Sequence, residues 1–502
     1  MRYSLLPPPG VPTDPASITS LFAALDAIAG KVEQSTWTFY DTPDRLLWLS
    51  QHVLVQRKQT LALIPCRELS VGTPVASLTR RSSALARLLA DWPASNLKHA
   101  LLPLVRIRSL SPLLVCKVER RTATVRDALE KTVALIEVWQ VQPTDGSGHM
   151  WATVTGLRGY KRERLATIAA AVECGWQVVK DEPFMQFTSG FLAPDPAAAQ
   201  GFPDGGVAAG QAMRSYLGEV LAALPELERG VIDDLDTEFL HQFRLLLRRA
   251  RSLAAQFASV FLPQQSERIR VILAGWARCS NHQRDLDVWL LARSEHEALV
   301  PKYLRPGLAG MFRLIARDRA AAHREVVTRL SSATYQAERA ELAALIADAP
   351  DGPDAALTLV ELARQRTWKS YRRVVREARQ IDSTTQAEIV HAVRIRCKKL
   401  RYLLDSCGQL TAPDHYRALR DQLKAVQSLL GAYNDDAVQC QALLERAQAH
   451  RDEDAALLAI GALVGAVDRH RADLHAQLLR ELGELSQPAT RASYRNLFRT
   501  KE

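Results

Sequence analysis

The sequence predicts a multidomain α+β protein, with a strand-rich N-terminal half followed by an all-α C-terminal half. Three observations carry that prediction. Residues 191–210 (FLAPDPAAAQGFPDGGVAAG) are rich in Pro, Gly and Ala and nearly free of charge, as a linker is. Before them, short apolar runs with β-branched residues alternate with turns, as in HVLVQRKQTLALIP and VALIEVWQV. Beyond them, apolar residues recur every three to four positions over long stretches, with prolines mostly between. The predicted boundaries are a β-rich domain at 1–190, a linker at 191–207, a helical domain at 208–490 and a basic tail at 491–502.

The 502 residues suffice for several cores, and 47% hydrophobic content excludes a disordered chain. A net charge of +10 points to an anionic partner. Bulk charge does not say which half holds it: residues 1–200 carry 22 Lys+Arg against 17 Asp+Glu, and the rest carry 43 against 38. The arrangement of the charges has to decide. Seven cysteines, an odd number without a CxxC pair, fit reduced thiols and argue against a disulfide framework or a zinc site. The start, MRYSLLPPPG, lacks a signal-peptide core, and the apolar run 455–467 is too short to span a bilayer. A cytoplasmic protein with no membrane partner is expected.

The helical half repeats itself. HQFRLLLRRARSL begins at His241 and HAVRIRCKKLRYL begins at His391, 150 residues later. The offset maps His241 to His391, Arg244 to Arg394, Arg248 to Lys398, Arg249 to Lys399 and Arg251 to Arg401. It continues through Pro263 to Pro413, Asp285 to Asp435 and Val288 to Val438, without a gap. Two copies of one helical unit, about 208–350 and 358–490, related by a pseudo-twofold, are predicted. At 100° per residue His241, Arg244, Arg248 and Arg251 share about 80° of arc, opposite Leu246, Leu247, Ala250, Leu253 and Phe257. The second copy sets His391, Arg394, Lys398 and Arg401 against Val393, Cys397, Leu400 and Leu404. Each stripe is nearly free of acids, with Asp405 the exception, so these like charges repel one another unless an anion arrives.

Each midpoint proline predicts the turn of a helical hairpin. The returning helix then brings Asp285, or Asp435, beside the histidine and arginine that head its stripe. An Asp–His or Asp–Arg pair is expected there, orienting the stripe and raising the histidine pKa.

These residues resemble the CHAD family, the conserved histidine α-helical domain. The likeness rests on HQFRLLLRRARSL with RDLDV, and on HAVRIRCKKLRYLL with LKAVQSLLGAYNDDAV at 423–438, and it spans roughly 208–490. It implies two pseudo-symmetric four-helix bundles whose basic residues line a groove that binds inorganic polyphosphate, with Lys424 also facing that groove. The implied binding set is His241, Arg244, Arg248, Arg249, Arg251, His391, Arg394, Lys398, Lys399, Arg401 and Lys424, with Asp285 and Asp435 as orienters. ARCSNHQRDLDV departs from the family by lacking a glycine before the RD, and Arg278 there is an extra cation. In a cell that stores polyphosphate, such a protein would sit on the granules beside other granule proteins. General polyanion binding stays open, with RNA as a competitor.

The N-terminal half resembles the CYTH family of triphosphate tunnel enzymes, through FYDTPDRLLWLSQHVLVQRK and LRGYKRERL. That likeness implies an antiparallel, barrel-like fold. The family's ExExK strand is missing, its second acidic strand keeps only Glu137, and its LRxR reads LVQRK, retaining Arg57 and Lys58. Arg106, Arg108, Lys117, Arg120 and Arg121 keep the domain basic, while Trp48, Trp139 and Trp176 read as core. Without a carboxylate cluster no metal, cofactor or catalytic residue is assigned. Binding without catalysis is the leading expectation. A divergent triphosphatase or nucleotidyl cyclase is the alternative.

Overall fold

The computed structural model describes residues 2–8, 15–66, 74–79, 86–144, 146–179, 183–192, 205–347, 351–382, 385, 387–407 and 413–499. They form two compact units, Met1–Pro196 and Ala197–Glu502. Residues 193–204 of the predicted linker lie outside the described residues, and 205–207 take part in the helical unit, as shown below.

The first unit is an antiparallel sheet of nine strands: β1 (Arg2–Leu6), β2 (Ala27–Asp41), β3 (His52–Arg57), β4 (Thr60–Pro65), β5 (Ala76–Thr79), β6 (Ser111–Arg126), β7 (Thr132–Pro143), β8 (His149–Gly156) and β9 (Gln177–Val179). Their order is β5-β4-β3-β2-β6-β7-β8-β1-β9. Five helices accompany them: α1 (Pro15–Ala24), α2 (Leu46–Leu49), α3 (Asn96–Val105), α4 (Lys161–Glu173) and α5 (Pro183–Leu192). Period-2 alternation sends side chains to two faces. One face buries Trp37, Phe39, Cys116, Trp139 and Trp151, with Trp48 of α2 and Phe187 of α5. The other buries Leu5, Ile136, Ala152 and Val154 against Ile18 and Leu21 of α1 and Ile168 of α4, with Trp176.

The second unit is all-α, and its two copies follow the 150-residue offset. The first holds α6 (Ala209–Ile232), α7 (Thr237–Gln256), α8 (Pro263–Cys279), α9 (Asn281–Leu291), α10 (Arg293–Leu299), α11 (Leu308–Leu330) and α12 (Ala333–Ala347). The second holds α13 (Leu359–Ala378), α14 (Ala387–Cys407), α15 (Pro413–Ala449), α16 (Asp454–Leu485) and α17 (Pro488–Phe498). Both midpoint prolines open a helix, where a missing N–H costs nothing.

The pseudo-twofold is visible in backbone hydrogen bonds. Ala209 N–H donates to Leu357 O at 2.8 Å, while Leu359 N–H donates to Val207 O at 2.9 Å. Gly210 N–H donates to Ala355 O at 3.0 Å, while Val360 N–H donates to Gly205 O at 3.1 Å. Swapping the copies exchanges the two bonds of each set.

Three cores hold the unit. One joins α6, α7, α8, α12 and the end of α11, and takes in Leu359, Leu362 and Ala363 of α13 and Leu403 of α14. A second joins α13 and α14 to the start of α15, the end of α16 and α17. The third is also shared: Leu286 and Trp289 of α9 and Phe312 of α11 pack with Leu443 of α15 and Ile460 and Leu463 of α16. The two bundles therefore interlock through the first and the third core.

Two expectations are corrected. The stretch read as a basic tail is, over its described part, helix α17. Its Tyr494 is fully buried, with its ring stacked 3.8 Å from that of Tyr371, and Phe498 is buried beside it. Aromatic spacing one turn apart gave it a core face that the arginine count obscured. The second copy also has one continuous α15 where the first is broken at Ser280 between α8 and α9.

Candidate anion-binding site

Helices α7 and α14 carry the two basic stripes, and both are held by their opposite faces. Phe243, Leu247, Ala250 and Leu253 are buried on α7, as are Val393, Cys397, Leu400 and Leu404 on α14. Asp236 caps α7, accepting from the Glu238 and Phe239 N–H groups at 2.8 and 3.2 Å. Gln256 Nε2 donates to Lys399 O at 3.1 Å and ties α7 to α14, and Gln427 Nε2 donates to Cys397 O at 2.5 Å and ties α15 to α14. The stripes thus ride on well-packed, mutually bonded helices.

The predicted residues divide into two groups. In the first, the protein itself supplies partners. Arg244 Nη1 donates to Ala277 O (3.2 Å), Ser280 Oγ (3.0 Å) and Asn281 Oδ1 (2.7 Å), and so closes the break between α8 and α9. Its counterpart Arg394 donates to Asp435 Oδ1 at 3.0 Å. Arg401 pairs with Asp405 at 3.5 Å, and His391 meets Asn434 Oδ1 through Nδ1.

In the second group are His241, Arg248, Arg249, Arg251, Lys398, Lys399 and Lys424. Their side chains make no hydrogen bond or ion pair with the described residues. Arg248 and Lys398, equivalent in the two copies, come together. The Lys398 amine is pushed down to about 8 by burial first, then by Arg394, Arg248 and Arg401, with Asp435 opposing. Lys399 is also lowered, by burial and by Arg396, Arg373 and Arg251, and Arg251 by burial, Arg278 and Arg270. Around Asp405 stand Arg401, Arg249, Arg420 and Lys424. Burial and uncompensated like charge are what an anion relieves.

The returning acids reach the heads of the stripes, and of the two expected pairings, Asp–His and Asp–Arg, the second is the one seen. Asp435 bonds Arg394, and Asp285 lies near Arg244 and also near Asp435, which adds to the rise that burial gives the Asp285 carboxyl. The expected rise of the histidine pKa is corrected for His241. Burial first, then Arg284, push it below its ordinary value, and Glu238 offsets this only in part. Arg284 was missed as a neighbour of His241, although it is the first residue of the RDLDV motif.

The sheet unit holds its cations differently. Arg57 lies 3.8 Å over the Trp37 ring, and Arg120 pairs with Glu33 at 2.8 Å and Glu137 at 3.1 Å. Arg108 pairs with Asp44 at 3.1 Å and Arg121 with Glu119 at 2.6 Å.

Residues 215–444 match the CHAD domain family. The chain carries a CHAD domain. Among solved structures, it is similar to the CHAD domain from the plant Ricinus communis, at 26% identity and TM-score 0.49, over 58% of this chain and 96% of that one. It is similar to PptA from Streptomyces chartreusis at 18% identity and TM-score 0.44, over 55% and 100%. A Bacillus halodurans structure described as a candidate adenylate cyclase matches at 14% identity and TM-score 0.26, over 37% and 95%. No curated protein matches the sequence. No helix among the described residues of the CHAD domain, or of the sheet unit, is long and apolar enough to cross a membrane.

Proposed function

We propose that the CHAD domain binds inorganic polyphosphate along the seam where its two copies meet, without catalysis, and that it does so on polyphosphate granules where a cell makes them. One observation carries this reading. Arg248 and Lys398, at equivalent positions of well-packed helices, face each other's charge with no bond to a described residue, and the amine is pushed down to about 8. A regular line of phosphate charge fits such a row. Arg contributes forked donors and Lys a point charge, and the many contacts release counterions together. Stacking platforms for bases are scarce there: Tyr402 is buried beside the second stripe and Trp276 is buried within the first copy. RNA is therefore placed second, as a competitor.

The sheet unit is proposed to add no metal-dependent triphosphate hydrolysis. The Glu137 carboxylate that would have to hold a metal already takes Arg120 at 3.1 Å and the Thr153 hydroxyl at 3.5 Å.

The test is a salt series of polyphosphate binding, with RNA as competitor. Arg248→Gln with Lys398→Gln should weaken binding by more than about tenfold, since each charge-assisted hydrogen bond is worth about 1.5–3 kcal/mol before solvent screening. Removing two exposed charges from the sheet unit, Arg158→Gln with Lys161→Gln, should leave it unchanged. Equal losses from both pairs would mean that bulk charge, not the seam, is responsible.

A further inference from the structure

The cationic surface does not end at the seam. On α14 the partly exposed arc continues past Lys398 to Lys399 and Arg396, at about 100° per residue. Glu377 accepts from Arg373 at 2.9 Å and from Arg396 at 3.3 Å, stapling α13 to α14. From Arg373 the charge passes onto the outer face of α13. There Lys369, Arg372, Arg376 and Arg379 share about 80° of arc and are all exposed. Lys369, Arg372 and Arg376 make no hydrogen bond or ion pair with the described residues, and Arg379 has only the Ser486 carbonyl, at 3.3 Å. This row runs about 15 Å at 1.5 Å per residue. Such a like-charged row opposes helix stability, since it is self-repelling at i, i+3 and i, i+4 spacing. Its persistence calls for a counter-charge from outside.

The first copy lacks most of this row. The 150-residue offset maps Lys369 to Glu219, Arg372 to Ala222, Arg373 to Ala223, Arg376 to Glu226 and Arg396 to Leu246; Arg379 alone of the row keeps its charge, as Arg229, which pairs with Asp233 at 4.0 Å. The bundles share a scaffold, yet only the second extends the basic surface from the seam to its outside. Two features choose the occupant. The row is continuous with the seam through Lys399, and the aromatic beside it, Trp368, is partly buried with its ring stacked on Tyr371. Both suit the far end of the chain already bound in the seam.

We propose that long polyphosphate leaves the seam across Lys399 and Arg396 and runs along the outer face of α13, a second binding surface that short chains do not reach. This rests on polyphosphate being the ligand of the seam. It adds an affinity that depends on chain length, in one direction only, because the first copy opposes it with Glu219 and Glu226. A chain held at the seam meets α13 at high effective concentration, so modest attractions there multiply the overall affinity.

The test uses the full chain with Lys369→Gln, Arg372→Gln and Arg376→Gln combined. The three side chains are exposed and unbonded to described residues, so folding should survive, and the melting temperature checks this. Titrations with tripolyphosphate and with long-chain polyphosphate are compared across a salt series. Long-chain affinity should fall about tenfold or more. The slope of log affinity against log salt should shrink by about two, at about 0.7 for each phosphate no longer neutralised. Tripolyphosphate affinity should stay unchanged. Long-chain affinity that is unaltered, or that falls no more than with Arg158→Gln, Lys161→Gln and Arg162→Gln, overturns the α13 site. An equal loss for both lengths overturns it too. The seam reading fails separately, if Arg248→Gln with Lys398→Gln binds both ligands as the natural protein does.

Discussion

Lys398 lets the seam be read through protons. Its amine falls from an ordinary 10.5 to about 8, through burial and then Arg394, Arg248 and Arg401. At 1.36 kcal/mol per unit this is about 3 kcal/mol, and because Lys398 is partly exposed, solvent screening leaves about 1–2 kcal/mol. If polyphosphate is the ligand, as proposed, a phosphate oxyanion would supply the missing counter-charge and return the pKa toward its ordinary value. The complex then holds a proton that the free protein has partly lost. Binding should take up about half a proton at pH about 8 and about nine-tenths at pH about 9, so affinity should fall nearly tenfold per pH unit around pH about 9 and level off above about 10.5. In the free protein the same shift runs the other way. The unfolded chain keeps the proton between about 8 and 10.5, so stability rises with pH across that window. Below neutrality the next uptake comes from His241, whose free pKa is depressed by burial and Arg284. Calorimetry in two buffers of different ionisation enthalpy measures the uptake directly. Lys398→Arg, which keeps the charge but has no proton to gain, should abolish the alkaline part while the ligand's own ionisation stays the same. Uptake near zero above pH about 8, or uptake unchanged in Lys398→Arg, would refute the convergence of charge on Lys398.

Three further outcomes are expected. Arg244→Ala should cost about 1–3 kcal/mol in urea unfolding, because it orphans the acceptors at the α8–α9 break, whereas exposed Arg248→Ala should cost within about 0.5 kcal/mol. Polyphosphate affinity should rank the two in the opposite order, and a stable Arg244→Ala protein that no longer binds would contradict the scaffolding role. Tyr494→Ala should cost about 3–5 kcal/mol by the same unfolding measurement, since its ring is fully buried on Tyr371, and a cost below about 1 kcal/mol would return α17 to the status of a tail. With tripolyphosphate and Mg²⁺ or Mn²⁺, phosphate release should not exceed that of Glu137→Gln; turnover that this substitution abolishes would make the sheet unit an enzyme.

Much of the helical unit was legible because a repeat is a strong signal. The offset from His241 to His391 foretold equivalent helices, and the midpoint prolines do open α8 and α15. Periodicity named the buried faces of α7 and α14, since 100° per residue leaves little freedom about which side is apolar. Pairing was harder. The two ends of a hairpin allow an Asp–His or an Asp–Arg pair, and the structure has Arg394 on Asp435, with His391 on Asn434. Which of several cations wins a carboxylate depends on side-chain reach and helix rotation, and residue spacing fixes neither. The helical nature of 491–498 was hidden by its arginines, because composition reports the exposed face and Tyr494 and Phe498 report the buried one.

The broken symmetry explains why the stripe cannot be treated as one set of equal contacts. Where the second copy runs α15 unbroken past Leu430 and Gly431, the first ends α8 at Cys279 and restarts at Asn281. A helix end leaves carbonyls without partners. In the first copy Arg244 satisfies the Ala277 carbonyl, and no such carbonyl is freed beside Arg394, which takes Asp435 instead. The most visible pair in the repeat is therefore committed to the scaffold on both sides, for different local reasons. On the proposed reading, what remains for an anion begins one turn further along, at Arg248 and Lys398, and broadens through Lys399 toward α13 on the second copy alone. A substitution at the head of the motif tests the frame; a substitution one turn on tests the ligand.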